Sequence, residues 1–273
     1  MERYMCNLHA PQRARAGLFA LHAFNIETAK IRSSTSDSNI ARMRLLWWRQ
    51  TVADALDGKP PDHPVAQGLA HAHTQFGLTP RYLEQLLDAR EADLASTQPE
   101  SWPQVLLYCE HTAGALCLLA HECIVQNGGG ESETERKVAE QAALQVGAAL
   151  GIATLLRGTA VHAAQGCTYI PADIAARHRL SLQEVIRGRP SHKISDAVGE
   201  MANEAVAHLL AGRSLQRELS TESCAVLLPA TIADLVLRRL QQCGWSPFAP
   251  QVTQPLGMRF HLELAWHRFR GSY

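Results

Sequence analysis

Residues 18–33 read LFALHAFNIETAKIRS, and residues 151–158 read GIATLLRG. Both stretches lie in segments that the sequence predicts to be helical. A long helix that starts after Ser132 is predicted to end near Arg157. No segment alternates apolar and polar residues for long enough to form a sheet, and only residues 167–170 indicate extended structure. The sequence therefore predicts an all-α protein.

Helix boundaries are marked by capping residues. Residues 42–56 carry apolar side chains at three- and four-residue spacing, and Gly58 with the prolines that follow it predicts the end of that helix. Pro80 is tolerated in a first helical turn, and Thr79 before it is a suitable N-cap. The adjacent tryptophans within residues 42–56 are predicted to be one core residue and one rim residue.

A glycine-rich break at residues 127–130 separates the two halves of the chain. Ser132 and Glu135 follow it in the pattern of a capping box, in which each side chain bonds the other's free backbone donor. Gly147 and Gly151 lie four residues apart in the helix that follows, a spacing that permits close helix packing. With a mean helix length of about 11–12 residues, we expect roughly ten to twelve helices in one domain spanning residues 1–273.

The composition excludes some classes of function. The chain has 26 Lys and Arg residues against 26 Asp and Glu residues, so no overall charge favours nucleic acid. Residues 1–50 hold an excess of basic residues, which suits an anionic partner or membrane surface, although a solvated helix face is the more common explanation. The seven cysteines include no C-x-x-C pair, which predicts reduced, buried thiols in a reducing compartment.

Acidic residues one helical turn apart are the pattern from which a metal site would be built. The densest group is Asp88, Glu91 and Asp93. The neighbouring Arg81 and Arg90 favour a salt-bridged exposed face over a metal site. Histidine and cysteine residues supply no alternative, because those two apart on a helix point to different faces and no second ligand pair has zinc-site spacing.

Several stretches, in order along the chain, resemble the squalene and phytoene synthases. Residues 44–49, RLLWWR, are similar to that family's R-L-x-W-W-R helix, and residues 108–114, YCEHTAG, to its Y-C-x-x-x-A-G helix. Residues 228–248 resemble its C-terminal helices. The resemblance covers about residues 4–270. Because it begins near Tyr4, it implies that residues 1–24 form the first folded helix. It also implies an isoprenoid-synthase-type helical bundle around a central cavity.

The two stretches quoted first differ from that family where it carries aspartate-rich motifs of the form D-x-x-[DE]-D. The corresponding positions hold Ala29, Lys30, Arg32, Ser33, Gly158, Val161 and His162. Mg²⁺ bound to diphosphate needs hard, anionic oxygen ligands, and these positions offer none. The resemblance therefore implies a degenerate diphosphate site with no catalytic residue, no metal ligand and no cofactor.

One branch of the superfamily fits better than its enzymes. Residues 19–27, FALHAFNIE, and residues 151–159, GIATLLRGT, resemble the phytoene-synthase-like assembly factors of respiratory complex I, which also lack the aspartate motifs. This resemblance implies a non-catalytic protein on the matrix side of the mitochondrial inner membrane. Its implied partners are complex I assembly intermediates or other assembly factors, with peripheral contact to the membrane and none to nucleic acid.

Two alternatives stay open at this point. One is an active squalene- or phytoene-synthase-type prenyltransferase that has relocated its metal ligands to Asp88, Glu91 and Asp93. The other is an isoprenoid- or lipid-binding protein that keeps an apolar channel and performs no chemistry.

Overall fold

The computed structural model describes residues 2–35, 37–125 and 132–270, and the side chains of all these except residues 268–270. The predicted break at residues 127–130 lies outside the described residues. The chain is 78% helical, and no strand occurs in the described ranges. Residues 167–170 form bends rather than a strand. The all-α prediction is confirmed.

Fifteen α-helices follow one another in the described residues: α1 (Glu2–His9), α2 (Arg15–Ser34), α3 (Ser38–Leu56), α4 (Pro64–Phe76), α5 (Pro80–Asp93), α6 (Trp102–Cys109), α7 (Ala115–Val125), α8 (Glu133–Arg157), α9 (Thr159–Ala164), α10 (Ala172–Arg177), α11 (Leu182–Ile186), α12 (His192–Ser214), α13 (Ala230–Gln242), α14 (Pro250–Thr253) and α15 (Gly257–Arg270). A π-helical turn, Glu110–Gly114, joins α6 to α7. The count exceeds the expected range because α9, α10, α11 and α14 have only four to six residues each.

The prediction of one helix over residues 1–24 is wrong. Helix α1 ends at His9, and α2 begins at Arg15 after a single 3₁₀ turn. Pro11 causes the break, because it adopts an extended conformation with ψ 138° and has no N–H to continue the helical hydrogen bonds. The chain therefore turns, and α1 packs against both α2 and α15.

Other predicted boundaries are confirmed, with one difference in detail. Helix α5 begins at Pro80, but the side chain of Thr79 makes no capping hydrogen bond. Its backbone N–H instead donates to Glu122 Oε2 at 3.0 Å, which ties the start of α5 to α7. The capping box of Ser132 and Glu135 is present at the start of α8. In α3, Trp48 is buried and its neighbour Trp47 is exposed, as predicted.

Helix α8 lies at the centre of the core, where it contacts α12, α13, α7 and the π-helical turn. A Cβ on Gly147 would lie 2.7 Å from the backbone N of Gly114, and a Cβ on Gly151 would lie 2.7 Å from Cys109 Cβ. The two glycines therefore allow the close approach that their spacing predicts. By length and composition α8 could cross a membrane, but 67% of its apolar window is buried inside the protein, as expected of a core helix.

The cysteines are free thiols, and all but Cys243 are buried. Burial raises the pKa of Cys6 to about 12 and that of Cys117 to about 11. The prediction of buried thiols is confirmed for six of the seven cysteines.

Candidate functional site

A cavity of about 300 Å³ lies among α2, α5, α8 and α9. Its volume is at the lower end of the ~300–1,000 Å³ typical of small-molecule pockets. Polar side chains from several elements line it together with apolar ones. The polar side chains of the lining are Arg3, Asn25, Thr28, Arg32, Ser33, Arg90, Asp93, Tyr108, Thr112, Thr154, His162, Gln165 and Tyr169.

Five of the seven degenerate motif positions line this cavity. They are Ala29, Arg32 and Ser33 on α2, and Val161 and His162 on α9. The two stretches that are far apart in sequence therefore meet at one site. Within α2, the spacing places Ala29, Arg32 and Ser33 on one face, because residues three and four apart share a face of a helix.

The other two positions, Lys30 and Gly158, are outside the cavity lining. Lys30 follows Ala29 by one residue and is exposed to solvent. At Gly158, an added Cβ would lie 2.7 Å from Cε1 of His162. A side chain at position 158 would therefore push the His162 ring out of its place.

Asp93 supplies the only carboxylate among the described residues of the lining. Its Oδ1 lies 2.7 Å from Arg32 Nη1, and its Oδ2 accepts a hydrogen bond of 2.7 Å from the Tyr169 hydroxyl. Arg32 also donates to the carbonyl oxygen of Ser96 at 2.9 Å. Both oxygens of Asp93 are thus already bound by the protein, which leaves the carboxylate poorly placed to hold a metal ion.

The three acids considered for a relocated metal site form no cluster that could hold a metal ion among the described residues. Asp88 and Glu91 lie on an exposed face of α5, where Arg49 from α3 approaches them at 2.6 and 2.7 Å. Asp93 lines the central cavity and is bound by Arg32 and Tyr169. The expectation that Arg81 and Arg90 pair with this group is wrong, because Arg49 takes that role.

Arg90 points into the cavity, which the sequence analysis missed. It donates to the Tyr108 hydroxyl and to Asn25 Oδ1, the latter at 3.0 Å, and its guanidinium carbon lies 5.4 Å from the Tyr108 ring centroid. Helical periodicity could have revealed this orientation. Arg90 follows the buried Leu86 and Leu87 by four and three residues, so it shares their face.

Arg3 on α1 is the second residue that sequence reasoning missed. It follows the same rule, because it precedes the buried Cys6 and Asn7 by three and four residues. Desolvation lowers the pKa of Arg3, and the positive charges of Arg90 and Arg157 act in the same direction. Arg3 is half-buried, and it is part of the cavity lining.

His162 is an uncharged imidazole in this setting. Desolvation lowers its pKa to about 4, although the negative charge of Asp93 opposes this shift. Its ring packs edge-on against Tyr169, with the ring centroids 4.7 Å apart. A neutral nitrogen donor suits softer metals and is a poor ligand for Mg²⁺. The cavity therefore combines excess positive charge with one occupied carboxylate and one neutral histidine.

An all-α bundle around such a cavity defines an isoprenoid-synthase-type protein. A dehydrosqualene synthase solved in complex with ligand has this fold, with a TM-score of 0.81 over 100% of this chain and 92% of that chain, at 16% sequence identity. The family model for squalene/phytoene synthase matches residues 1–265. The chain belongs to the squalene/phytoene synthase family.

The chain is more similar to one kind of relative in this family than to another, as the following two comparisons show. The NADH dehydrogenase (ubiquinone) complex I assembly factor 6 of Bos taurus is 32% identical over 251 residues, which cover 92% of this chain and 73% of the relative. The chloroplastic phytoene synthase 1 of Solanum lycopersicum is 24% identical over 186 residues, which cover 68% of this chain and 44% of the relative. Similarity to the assembly factor is thus both higher and more extensive.

Proposed function

We propose that this chain is a single-domain, non-catalytic assembly factor for mitochondrial respiratory complex I, built on a prenyl-synthase fold. The similarity to a relative named as such an assembly factor, over 92% of the chain, supports the role. The observation that carries the non-catalytic part is the arrangement at Asp93. Arg32 and Tyr169 occupy both oxygens of the cavity's carboxylate.

Prenyl transfer requires Mg²⁺ ions held by carboxylates, and the described lining of this cavity offers no free carboxylate. Ionising an allylic diphosphate leaves negative charge on the departing group, which Mg²⁺ ions must neutralise. Each ion is usually held by one or two carboxylates. In the described lining, Ala29, Arg32 and Ser33 stand on one side and Val161 and His162 on the other. The one carboxylate of that lining, Asp93, is already bound to Arg32 and Tyr169.

The assembly role is tested by deleting the gene in cells that encode this chain. We expect the content of assembled complex I to fall and expression of the wild-type chain to restore it. The double variant Asp88→Asn/Glu91→Gln should restore it equally, because these exposed carboxylates pair with Arg49 and such pairs contribute ~0–1 kcal/mol to folding. Normal complex I in the deletion strain, or failure of the double variant alone, would contradict the proposal.

We include in the proposal a position on the matrix side of the inner membrane. The basic residues within 1–50 support that position less strongly than their number indicates. Arg3 lines the internal cavity. Arg13, Arg32 and Arg49 are paired with acidic side chains. Of the eight basic residues within 1–50, four therefore remain for an anionic leaflet, namely Arg15, Lys30, Arg42 and Arg44, which have no acidic partner among the described residues.

Helix α15 offers a further candidate for membrane contact. Met258, Leu262 and Trp266, each one turn apart, are 73%, 65% and 52% exposed. Phe260 and Leu264 on the same helix are buried, so α15 is apolar on both its inner and its outer side. We propose that the outer stripe contacts the membrane surface.

Replacing Leu262 with glutamate should weaken binding to cardiolipin-containing vesicles about tenfold, because burying a leucine contributes roughly 1.5–3 kcal/mol. Co-sedimentation at increasing salt measures the effect, and binding should weaken as salt screens the anionic surface. Leu210→Glu is the control, since Leu210 on α12 is 59% exposed. Absence of wild-type binding, or equal loss in both variants, would refute the α15 contact.

A further inference from the structure

The outward face of α3 carries large apolar side chains that the core does not use. Met43 and Leu46 are 68% and 66% exposed, and Ile40 and Trp47 beside them are exposed as well. These four residues, called the α3 patch, are neighbours on the helix surface because they lie three or four positions apart. A contiguous exposed patch of this kind, unlike a single exposed residue, marks an interaction site.

The ring of Trp47 is held in place by its neighbours within the chain. It packs edge-on against the rings of Trp48 and His63, with ring centroids 4.9 and 5.6 Å apart. A side chain that is already ordered loses little conformational freedom on binding. Tryptophan is also among the residues that contribute most to protein interfaces. Trp47 is therefore suited to anchor a partner.

Two arginines border the α3 patch, one on each side. Successive residues of a helix are rotated by about 100°, so Arg42 and Arg44 lie on the two sides of Met43. Both are exposed, and neither has an acidic partner among the described residues. Arg44 donates instead to the neutral hydroxyl of Ser34. The patch therefore matches a partner whose apolar stripe has acidic side chains on both borders.

An anionic membrane leaflet would meet carboxylates at both ends of α3. Asp37 is the N-cap of this helix. Asp54 follows Trp47 by two turns and Asp57 follows Leu46 by three, so both acids lie on the outward side, within ~20 Å of the patch. A flat leaflet along α3 would approach these acids as well as the two arginines. A helix of a partner protein can place its own acids at the arginines alone.

A second copy of this chain also matches the α3 patch poorly. A two-fold contact brings the same surface of both chains together, so Arg42 and Arg44 of both copies would lie in one interface. Like charges that face each other weaken an association. The charges therefore favour a partner of different sequence, with carboxylates at these positions.

We propose that the α3 patch docks an amphipathic helix of a partner protein, in which acidic side chains border an apolar stripe. The stripe packs against Met43, Leu46 and Trp47, and its acids pair with Arg42 and Arg44. The patch is outside the lining of the central cavity. It does not rest on the assembly role proposed above, since it requires a partner with this helix, whatever process that partner serves.

The test places the photo-crosslinking residue p-benzoylphenylalanine at position 43 of the full chain, in cells that encode this protein. Mass spectrometry maps the cross-linked peptides. We expect a segment of another protein, with apolar residues at helical spacing and an excess of Asp and Glu. The same probe at position 210 is the control, because Leu210 is exposed on α12, and it should not capture that segment. Cross-links to a second copy of this chain, to lipid alone, or to a segment without such acids would overturn the proposal, as would no cross-link or an equal yield from position 210.

Charge reversal tests the role of the two arginines in the chain that carries the probe at position 43. Arg42→Glu/Arg44→Glu should lower the cross-link yield at least about tenfold, because acids would then face acids. Leu46→Ser, which removes apolar contact and keeps both charges, should lower it too. The matched control Arg187→Glu/Arg189→Glu reverses two exposed charges elsewhere and should keep the original yield. All three variants should unfold at the wild-type temperature, because exposed positions contribute little to stability. An undiminished yield in Arg42→Glu/Arg44→Glu would refute the proposed pairing.

Discussion

Replacing Gly147 with alanine is expected to destabilise the folded protein by roughly 2–3 kcal/mol, the usual cost of overpacking a tight core. The added Cβ would lie 2.7 Å from the backbone N of Gly114 and 3.0 Å from the carbonyl carbon of Ala113. These are backbone atoms, which cannot rotate away as the end of a side chain can. The clash should outweigh the ~1 kcal/mol by which alanine favours a helix over glycine.

Urea denaturation with linear extrapolation measures this effect. Gly199→Ala on α12 is the matched control, because a Cβ there would meet the Trp245 ring at 3.4 Å, an ordinary van der Waals distance. That variant should be as stable as wild type or slightly more stable. If the two variants have equal free energies of unfolding, α8 does not pack against the π-helical turn as described.

Asp93→Ala should cost about 3 kcal/mol, because removing one partner of a buried ion pair leaves the other charge uncompensated. The Asp93 side chain is 11% exposed, and that of Arg32 is 23% exposed. The Tyr169 hydroxyl loses its acceptor in the same variant. Asp88→Ala is the control, because its pair with Arg49 is exposed and should contribute under ~1 kcal/mol.

A double variant separates the ion pair from general disruption of the site. Arg32→Met/Asp93→Leu removes both charges and should recover part of the stability that Asp93→Ala loses. Free energies of unfolding for wild type, Arg32→Met, Asp93→Leu and the double variant give the coupling between the two side chains. A double variant less stable than the sum of the single losses would contradict the ion-pair explanation.

Local chemistry predicted much of the fold. Pro80 and the pair Ser132 and Glu135 mark helix starts because their effects act within one turn of the chain. The break at Pro11 was visible in the sequence in the same way. We missed this break because the family resemblance begins near Tyr4, and we assigned all residues up to position 24 to a single helix.

The motif positions line the cavity only where they lie on the face of the helix that is turned toward it. Ala29, Arg32 and Ser33 share a face and reach the cavity, whereas Lys30 points to solvent. Arg90 was misassigned because its acidic neighbours in sequence suggested a surface pair. Its true partners, Asn25 and Tyr108, are 65 and 18 residues away, and contacts of that kind depend on how α2, α5 and α6 pack.

The most direct test of the non-catalytic cavity is incubation of the purified chain with farnesyl or geranylgeranyl diphosphate and Mg²⁺. An active phytoene synthase assayed in parallel shows that the conditions support turnover. Because Arg32 and Tyr169 occupy the one described carboxylate of the cavity, we expect no squalene- or phytoene-type product above a heat-killed control. Product above that control, formed in proportion to the chain and abolished by EDTA, would contradict this expectation.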